Sequence, residues 1–329
     1  MISVLFNKYK RVLYILLLPY LFLIFIFTFP IKSYDVTLPG NMKRVERDIV
    51  IEGDLSMNNF YTVYVMSPKI ITPFQVFLSS IDNRISIDKK VKPLVKYTFE
   101  MGQIHEELSY QYAIINAYTL ANQVNENISI DYEKQGYQIL YSISRNGKSG
   151  DVITKLDGKL ISLMDQSEVN LYFDSHERIT VTYMRNGSIH ESTYIKENGK
   201  FGISIYPYYR INKAFPAYKS YYHQDLIGGP SGGLIQTLKI YTSLLNLDFD
   251  NLKIGGTGTI DIDGNIGGIG GIRQKIYTAQ GRIDLFFVPE KNYEEALIAY
   301  QTIDKPTFLL VKVSTIHEAI TRLSEYIKA

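Results

Sequence analysis

The chain has 329 residues, 46% of them hydrophobic, which is ample for two globular units with buried cores and too apolar for a disordered protein. Its formal net charge is +2; with Lys8, Lys10 and Arg11 set aside, 32 cationic side chains face 33 acidic ones, and nothing argues for nucleic acid as a partner. Cysteine is absent and the five histidines are scattered, so disulfides, thiol chemistry and the two-histidine zinc peptidase motif are excluded and no cofactor is expected.

In chain order, the first feature is residues 12–29, a run without a charge that follows three basic residues and no acid. As a helix it rises roughly 27 Å, about the thickness of a bilayer's hydrocarbon core, and a membrane helix tolerates Pro19. A cleaved signal peptide has an apolar region of about 7–15 residues and a small-x-small site. This run ends instead in Thr28-Phe29-Pro30-Ile31-Lys32, so an uncleaved anchor is favoured. Basic residues before a span keep the N-terminus cytoplasmic, which predicts a single-pass plasma-membrane protein with the rest of the chain outside.

Residues 34–40 read as a short polar neck and 60–66 as a strand rich in aromatic and β-branched types. Ile104, Leu108, Tyr112 and Ile115 mark one face of a helix that ends near 122–127. From 128 to 195, strands at 137–143, 151–156, 179–185 and 189–194 are divided by Gly and Asn turns, the pattern of a small β-rich module. Within it Gly147-Lys148-Ser149 is no phosphate loop, because Ser142 stands where that motif needs glycine, and no other nucleotide motif occurs.

Beyond residue 202 the signals become α/β. A strand at 202–206 leads to a helix from Ser231, with Leu234, Leu238, Tyr241 and Leu245 on one face. Residues 254–262 and 265–269 read as a hairpin about Asp263-Gly264, and Ile272, Ile276 and Ala279 as a helix face closed by Gly281. A strand at 285–288, a capping box of Asn292 with Glu295, a strand at 308–313 and a last helix from Thr315 complete the unit.

Ser231, in Gly229-Pro230-Ser231-Gly232-Gly233, and Lys275, in Gly270-Gly271-Ile272-Arg273-Gln274-Lys275, are the candidate chemical pair. A serine hydroxyl is a weak nucleophile until a positioned base takes its proton. Lysine, with a reference pKa of about 10.4, becomes such a base only in a dry apolar setting, and a shift of about three units corresponds to roughly 4 kcal/mol. Ile272 and Ile276 supply that setting. A serine at a helix N-terminus also faces the free N–H groups of the first turn, which Gly232 and Gly233 leave unobstructed for an oxyanion.

Several motifs then resemble a known family. Gly229 to Gly233, Gly256-Thr257-Gly258-Thr259-Ile260, Gly264, the run ending at Lys275 and Phe287-Val288-Pro289 resemble, in order and spacing, the proteolytic domain of Lon peptidases. The resemblance implies Ser231 as nucleophile, Lys275 as base and Thr257 beside the lysine. Gly232 stands where the family usually has alanine, and Thr259 and Gly228 stand where it has acids. The run from Ser149 to Lys159, GDVITKLDGK in its body, resembles the PDZ pattern, which implies peptide binding by strand addition. The groove strand is expected at 137–141, with Tyr137, Gln138, Ile139 and Leu140 as peptide-binding residues, although a glycine-rich loop pattern is missing.

The whole chain looks like the membrane-anchored, PDZ-containing Lon-like peptidases of low-GC Gram-positive bacteria. It is expected to be an α+β protein: anchor and neck at 1–34, the first strands and helix of the protease fold at 35–127, an inserted PDZ-like domain at 128–197 and the proteolytic domain at 198–329. The expected activity is ATP-independent serine endopeptidase, with extended peptide or unfolded protein as substrate. The family's rings imply a homo-oligomer, which no residue pattern here specifies. A tethered peptide-binding module without essential proteolysis is the competing reading. A signal peptidase is not, because Ser56-Met57 is followed by Asn58-Asn59 rather than by its S-M-x-P motif.

Overall fold

The computed structural model describes residues 2–55, 59–68, 70–90, 99–143, 145–221, 229–249 and 252–326. Gly228, Ser56 and Met57 lie outside them. Helix α1 (Ile2–Thr28) runs unbroken through Pro19, and Tyr9–Thr28, with a mean hydropathy of 2.2, is long and apolar enough to cross a membrane.

No neck follows it. Residues 34–40 belong to strand β1 (Tyr34–Arg44), because Val36 alternates into the core while the Pro39-Gly40-Asn41 stretch is absorbed as a bulge against strand β3. After β2 (Ile49–Ile51) come β3 (Asn59–Met66), the apolar helix α2 (Pro73–Ile81), β4 (Ser86–Lys89) and the long helix α3 (Phe99–Val124).

A β-rich module follows: β5 (Ser129–Ser142), β6 (Val152–Leu156), β7 (Lys159–Leu160), α4 (Gln166–Ser175), β8 (Arg178–Arg185), β9 (Ser188–Ile195) and β10 (Ile203–Phe215). Its strand order is β10-β5-β6-β8-β9. Tyr137, Ile139, Ile153, Leu156 and Val169 fill its core, and a buried Asp151 holds Arg185 at 2.6 Å. Strands β5 and β10 are longer than the module needs. Their far halves carry Ile130, Ile211 and Ala214 onto the core of the rest of the molecule, so the two-stranded ribbon ties the units together.

After β11 (Tyr218–Ser220) the remaining elements are α5 (Gly233–Leu244), β12 (Lys253–Gly256), β13 (Thr259–Ile260), β14 (Ile266–Gly267), α6 (Ile272–Ala279), β15 (Leu285–Pro289), α7 (Tyr293–Gln301), β16 (Leu309–Val313) and α8 (Ile316–Ser324). A six-stranded sheet, β16-β15-β12-β3-β1-β4, draws strands from both sides of the β-rich module; β16, β15, β12 and β3 run parallel, and β1 and β4 add antiparallel pairs. One face packs α3, α5 and α8 through Phe60, Ile254 and Phe287; the other packs α6 and α7 through Val63, Phe286 and Val288. Adjacent residues of β15 thus serve opposite cores, which explains its uninterrupted apolar sequence.

Two local expectations change. Residues 254–262 are not one strand: the chain leaves the large sheet at Gly256, passes Gly258 at φ +157 and pairs again only as β13 with β14. Asn292 does not cap α7; its side-chain amide accepts from Ile269 N at 2.8 Å and donates to Ile269 O at 3.0 Å. That clamp holds the loop leading into α6.

Candidate active site

The site is built where α5 and α6 converge from opposite faces on the end of β12. Gly229, at φ +127, turns the chain in a way that L side chains resist, and Pro230 to Gly232 form a tight 3-10 turn that carries Ser231 half-buried into α5. The Ser231 carbonyl accepts two bonds, from Gly258 N at 2.8 Å and Thr257 Oγ1 at 2.9 Å. The fully buried Thr257 is itself fixed by its N–H to Phe287 O at 3.0 Å. The break after β12 therefore locates the serine backbone.

Lys275 reaches this point from the first turn of α6. Gly271 caps that helix in the left-handed region and packs against Val65 and Thr37, where a Cβ would meet a Val65 methyl at 2.9 Å. Lys275 Nζ lies 3.0 Å from Ser231 Oγ and 2.8 Å from Thr257 Oγ1. Ile272 and Ile276 are completely buried beside it, and the lysine is only 2% exposed. Desolvation lowers its pKa to about 7. With Thr257 donating onward to the Ser231 carbonyl, its hydroxyl accepts from the lysine, so one threonine orients both members of the pair.

A cavity of about 490 Å³ opens over the pair, lined by Thr62, Tyr64 and Val65 of β3, Gly270, and the polar side chains of Lys43, Asp48, Glu106 and Gln236. Gly270 has open space where a Cβ would stand, so its lack of a side chain keeps the cavity clear rather than relieving a clash. A second cavity, of about 390 Å³, adjoins Pro230 and contains His105, whose pKa burial lowers.

The first-turn amides of α5 are placed differently from expectation. Gly233 N–H donates to Pro230 O and Leu234 N–H to Gly258 O at 3.1 Å, so the Gly233 amide is already bound inside the protein. Glycine at 233 serves close packing instead, since a Cβ would meet Ser109 Oγ and Ile260 at 2.7 Å. Gly232 lies under the cavity against Thr62 and Gln236.

The proposed groove strand is corrected. Tyr137, Gln138, Ile139 and Leu140 are buried, and β5 is an interior strand: Tyr137 pairs with Pro207 of β10 on one side and Ile153 of β6 on the other. No edge is left there for an added strand. The terminal strand on that side is β10, whose Ile203 and Ile205, with Phe201 just before the strand and Phe173 of α4, line an open groove of about 570 Å³. Which strand lies at an edge depends on long-range pairing, which local alternation does not encode.

Sequence reasoning also missed Ser109, buried in α3, whose hydroxyl donates to Pro230 O at 3.2 Å. Its signal was a small polar residue inside the apolar face that Leu108 and Tyr112 define. Among the described residues no cluster of His, Cys, Asp or Glu is suited to hold a metal ion. No family model matches the chain, and no curated protein matches it.

Proposed function

We propose that the protein is an ATP-independent, membrane-anchored serine endopeptidase of Lon-like type that cleaves extended peptides or unstructured protein segments outside the membrane. The observation that carries this reading is the 3.0 Å contact between Ser231 Oγ and a lysine that burial leaves titrating at about 7. At neutral pH a large fraction of such a lysine is an unprotonated amine, whose lone pair accepts the serine proton.

The chemistry follows from that proton. Ser231 Oγ attacks the scissile carbonyl carbon as Lys275 Nζ takes its proton, and the C–O bond forms while the carbonyl π bond becomes an alkoxide. On collapse the C–N bond breaks and Lys275 returns the proton to the departing amine. A water then enters and gives its proton to Lys275 as its oxygen bonds to the acyl carbon; on collapse the ester C–O bond breaks, Lys275 returns that proton to Ser231 Oγ, and the acid leaves. General-base assistance of this sort accounts for about 10²- to 10⁴-fold of rate.

Lys8, Lys10 and Arg11, ahead of the uncharged run 12–29 that α1 carries almost to its end, support a cytoplasmic N-terminus and an external body. The chain contains no nucleotide motif, so substrates must arrive already extended. The β10 edge offers a surface that fits such chains, in line with a PDZ-like role by strand addition.

Ser231→Ala and Lys275→Ala, made in the full-length protein, are each expected to abolish cleavage of an unfolded reporter while leaving the fold intact by circular dichroism. Cleavage retained by either variant overturns the reading. The capture-only alternative draws on the same β10 groove and expects an unchanged cellular phenotype for Ser231→Ala.

A further inference from the structure

Helix α2 is not used by the site, yet it exposes large apolar side chains beside the end of α1. Its nine residues contain no charge, none of its side chains is fully buried, and Phe77 and Ile81, one turn apart, are 59% and 66% exposed. Ile70, just before it, is 64% exposed. Thr72 N donates to Gln75 Oε1 at 2.8 Å and Pro73 opens the helix, so this is a well-started element.

The fold fixes where this helix lies. Ile31 N donates to Ile71 O at 2.7 Å, and Lys90 N to Ser33 O at 2.9 Å, so α2 and β4 are tied on both sides to the residues that leave α1. Ile31 stands three residues beyond Thr28, no more than about 10 Å of chain. Phe74 of α2 packs its ring 4.5 Å from that of Phe27, which belongs to the last turn of α1 itself. A residue touching Phe27 shares its depth.

We propose that α2 lies in the membrane interface, with Phe77 and Ile81 entering the lipid beside the exit of α1. The inference rests on α1 crossing the bilayer. A short uncharged helix held at the end of a span meets headgroups and upper acyl chains, where apolar side chains are buried by lipid. A second copy seated on Phe77 and Ile81 would have to lie at the same depth as Phe27, inside the apolar zone. The contact also places the candidate active site. Gln274, next to Lys275, donates to Ser86 Oγ of β4, and Gly271 packs against Thr37, six residues past Ile31 or about 20 Å of strand. Lipid contact at α2 thus holds α6 near the membrane surface.

The chain has no cysteine, so single cysteines report position cleanly. Leu18→Cys in α1, Phe77→Cys and Ile81→Cys in α2, and Leu171→Cys on the exposed side of α4 would each carry an environment-sensitive fluorophore. The full-length protein is reconstituted in phosphatidylcholine and phosphatidylglycerol vesicles containing nitroxide-labelled lipid. Blue-shifted emission and strong quenching are expected at positions 18, 77 and 81, with the α2 labels quenched best by shallow nitroxides and Leu171→Cys unaffected. Quenching at position 18 alone overturns the inference and leaves the span standing; quenching at none overturns both. Disulfide crosslinking between copies at position 77 without lipid quenching also overturns it. Should Phe77→Cys fail to fold, Ser80→Cys, a one-atom change on the exposed side of the same helix, decides the question.

Discussion

Lys239 and Lys275 are both sealed from solvent, at 3% and 2% exposure, on opposite faces of the same sheet, and the protein treats them in opposite ways. Lys239, in the middle of α5, donates to Asp54 Oδ2 at 2.8 Å and has Glu46 at 4.0 Å. Lys275 meets two hydroxyls. Burial penalises a cation in either place, and the counter-charge decides the result. With a carboxylate against it, a buried lysine is part of the scaffold. With only neutral oxygens, desolvation prevails, and the group becomes a base near neutral pH.

The largest expected effect that tests this contrast is on stability at Lys275. Its pKa falls from 10.5 to about 7 on folding, and at about 1.4 kcal/mol per unit the desolvation costs up to roughly 5 kcal/mol. Below pH 7 the lysine is protonated in both states and the full penalty applies. Between about 7 and 10.5 the unfolded chain holds the proton that the folded one has shed, so stability rises with pH until both are neutral. Lys275→Met removes the penalty: the variant is expected to be more stable than the parent at pH 6, by several kcal/mol at most, with the difference closing toward pH 10.5. Denaturant midpoints at pH 6 and pH 10 check it. For the parent, kcat/KM is expected to rise through about pH 7 as Lys275 loses its proton.

The opposite sign is expected at the other lysine. Asp54→Asn leaves Lys239 buried without that carboxylate and is expected to destabilise by about 3 kcal/mol. Lys239→Met added to Asp54→Asn should recover most of the loss, since no cation then remains to desolvate. Thermal unfolding measures both, and the cleavage rate of the folded fraction should stay at the parent level. A destabilisation by Lys275→Met as large as that by Asp54→Asn would erase the distinction.

Much of this contrast was hidden in the sequence for a physical reason. The motifs around Ser231 and Lys275 name the pair, and Ile272 and Ile276 announce a dry setting, but nothing around Lys239 says that a carboxylate 185 residues away in the chain will reach it. The uncharged run of α1, the helical spacing in α3 and the unbroken apolar run of β15 are legible because each of these patterns is local. Strand β1 is not, since Pro39 and Gly40 interrupt its alternation and only pairing with β3 and β4 makes it a strand. The same limit explains the groove: residues 137–141 read locally as a strand, yet β10 and β6 occupy both edges of β5. Asn292 carries a capping signature, but tertiary contact with Ile269 claims its side chain.

The smallest of these effects is expected at Thr257, and it sharpens what "neutral oxygens" means at the site. The Thr257 hydroxyl accepts from Lys275 and donates to the Ser231 carbonyl, so it bridges the proposed base and nucleophile. Thr257→Val keeps the shape and removes both bonds. The lysine stays as dry as before, and the ascending limb of the pH profile should remain near 7. What is lost is orientation, and kcat is expected to fall by about ten- to a hundredfold with little change in KM, equivalent to roughly 1.5–3 kcal/mol, the range of one or two buried hydrogen bonds. Thr257→Ser, which restores the hydroxyl, should recover most of that rate. A pH limb displaced well above 7 in Thr257→Val would instead mean that the threonine, and not burial, is what makes Lys275 a base.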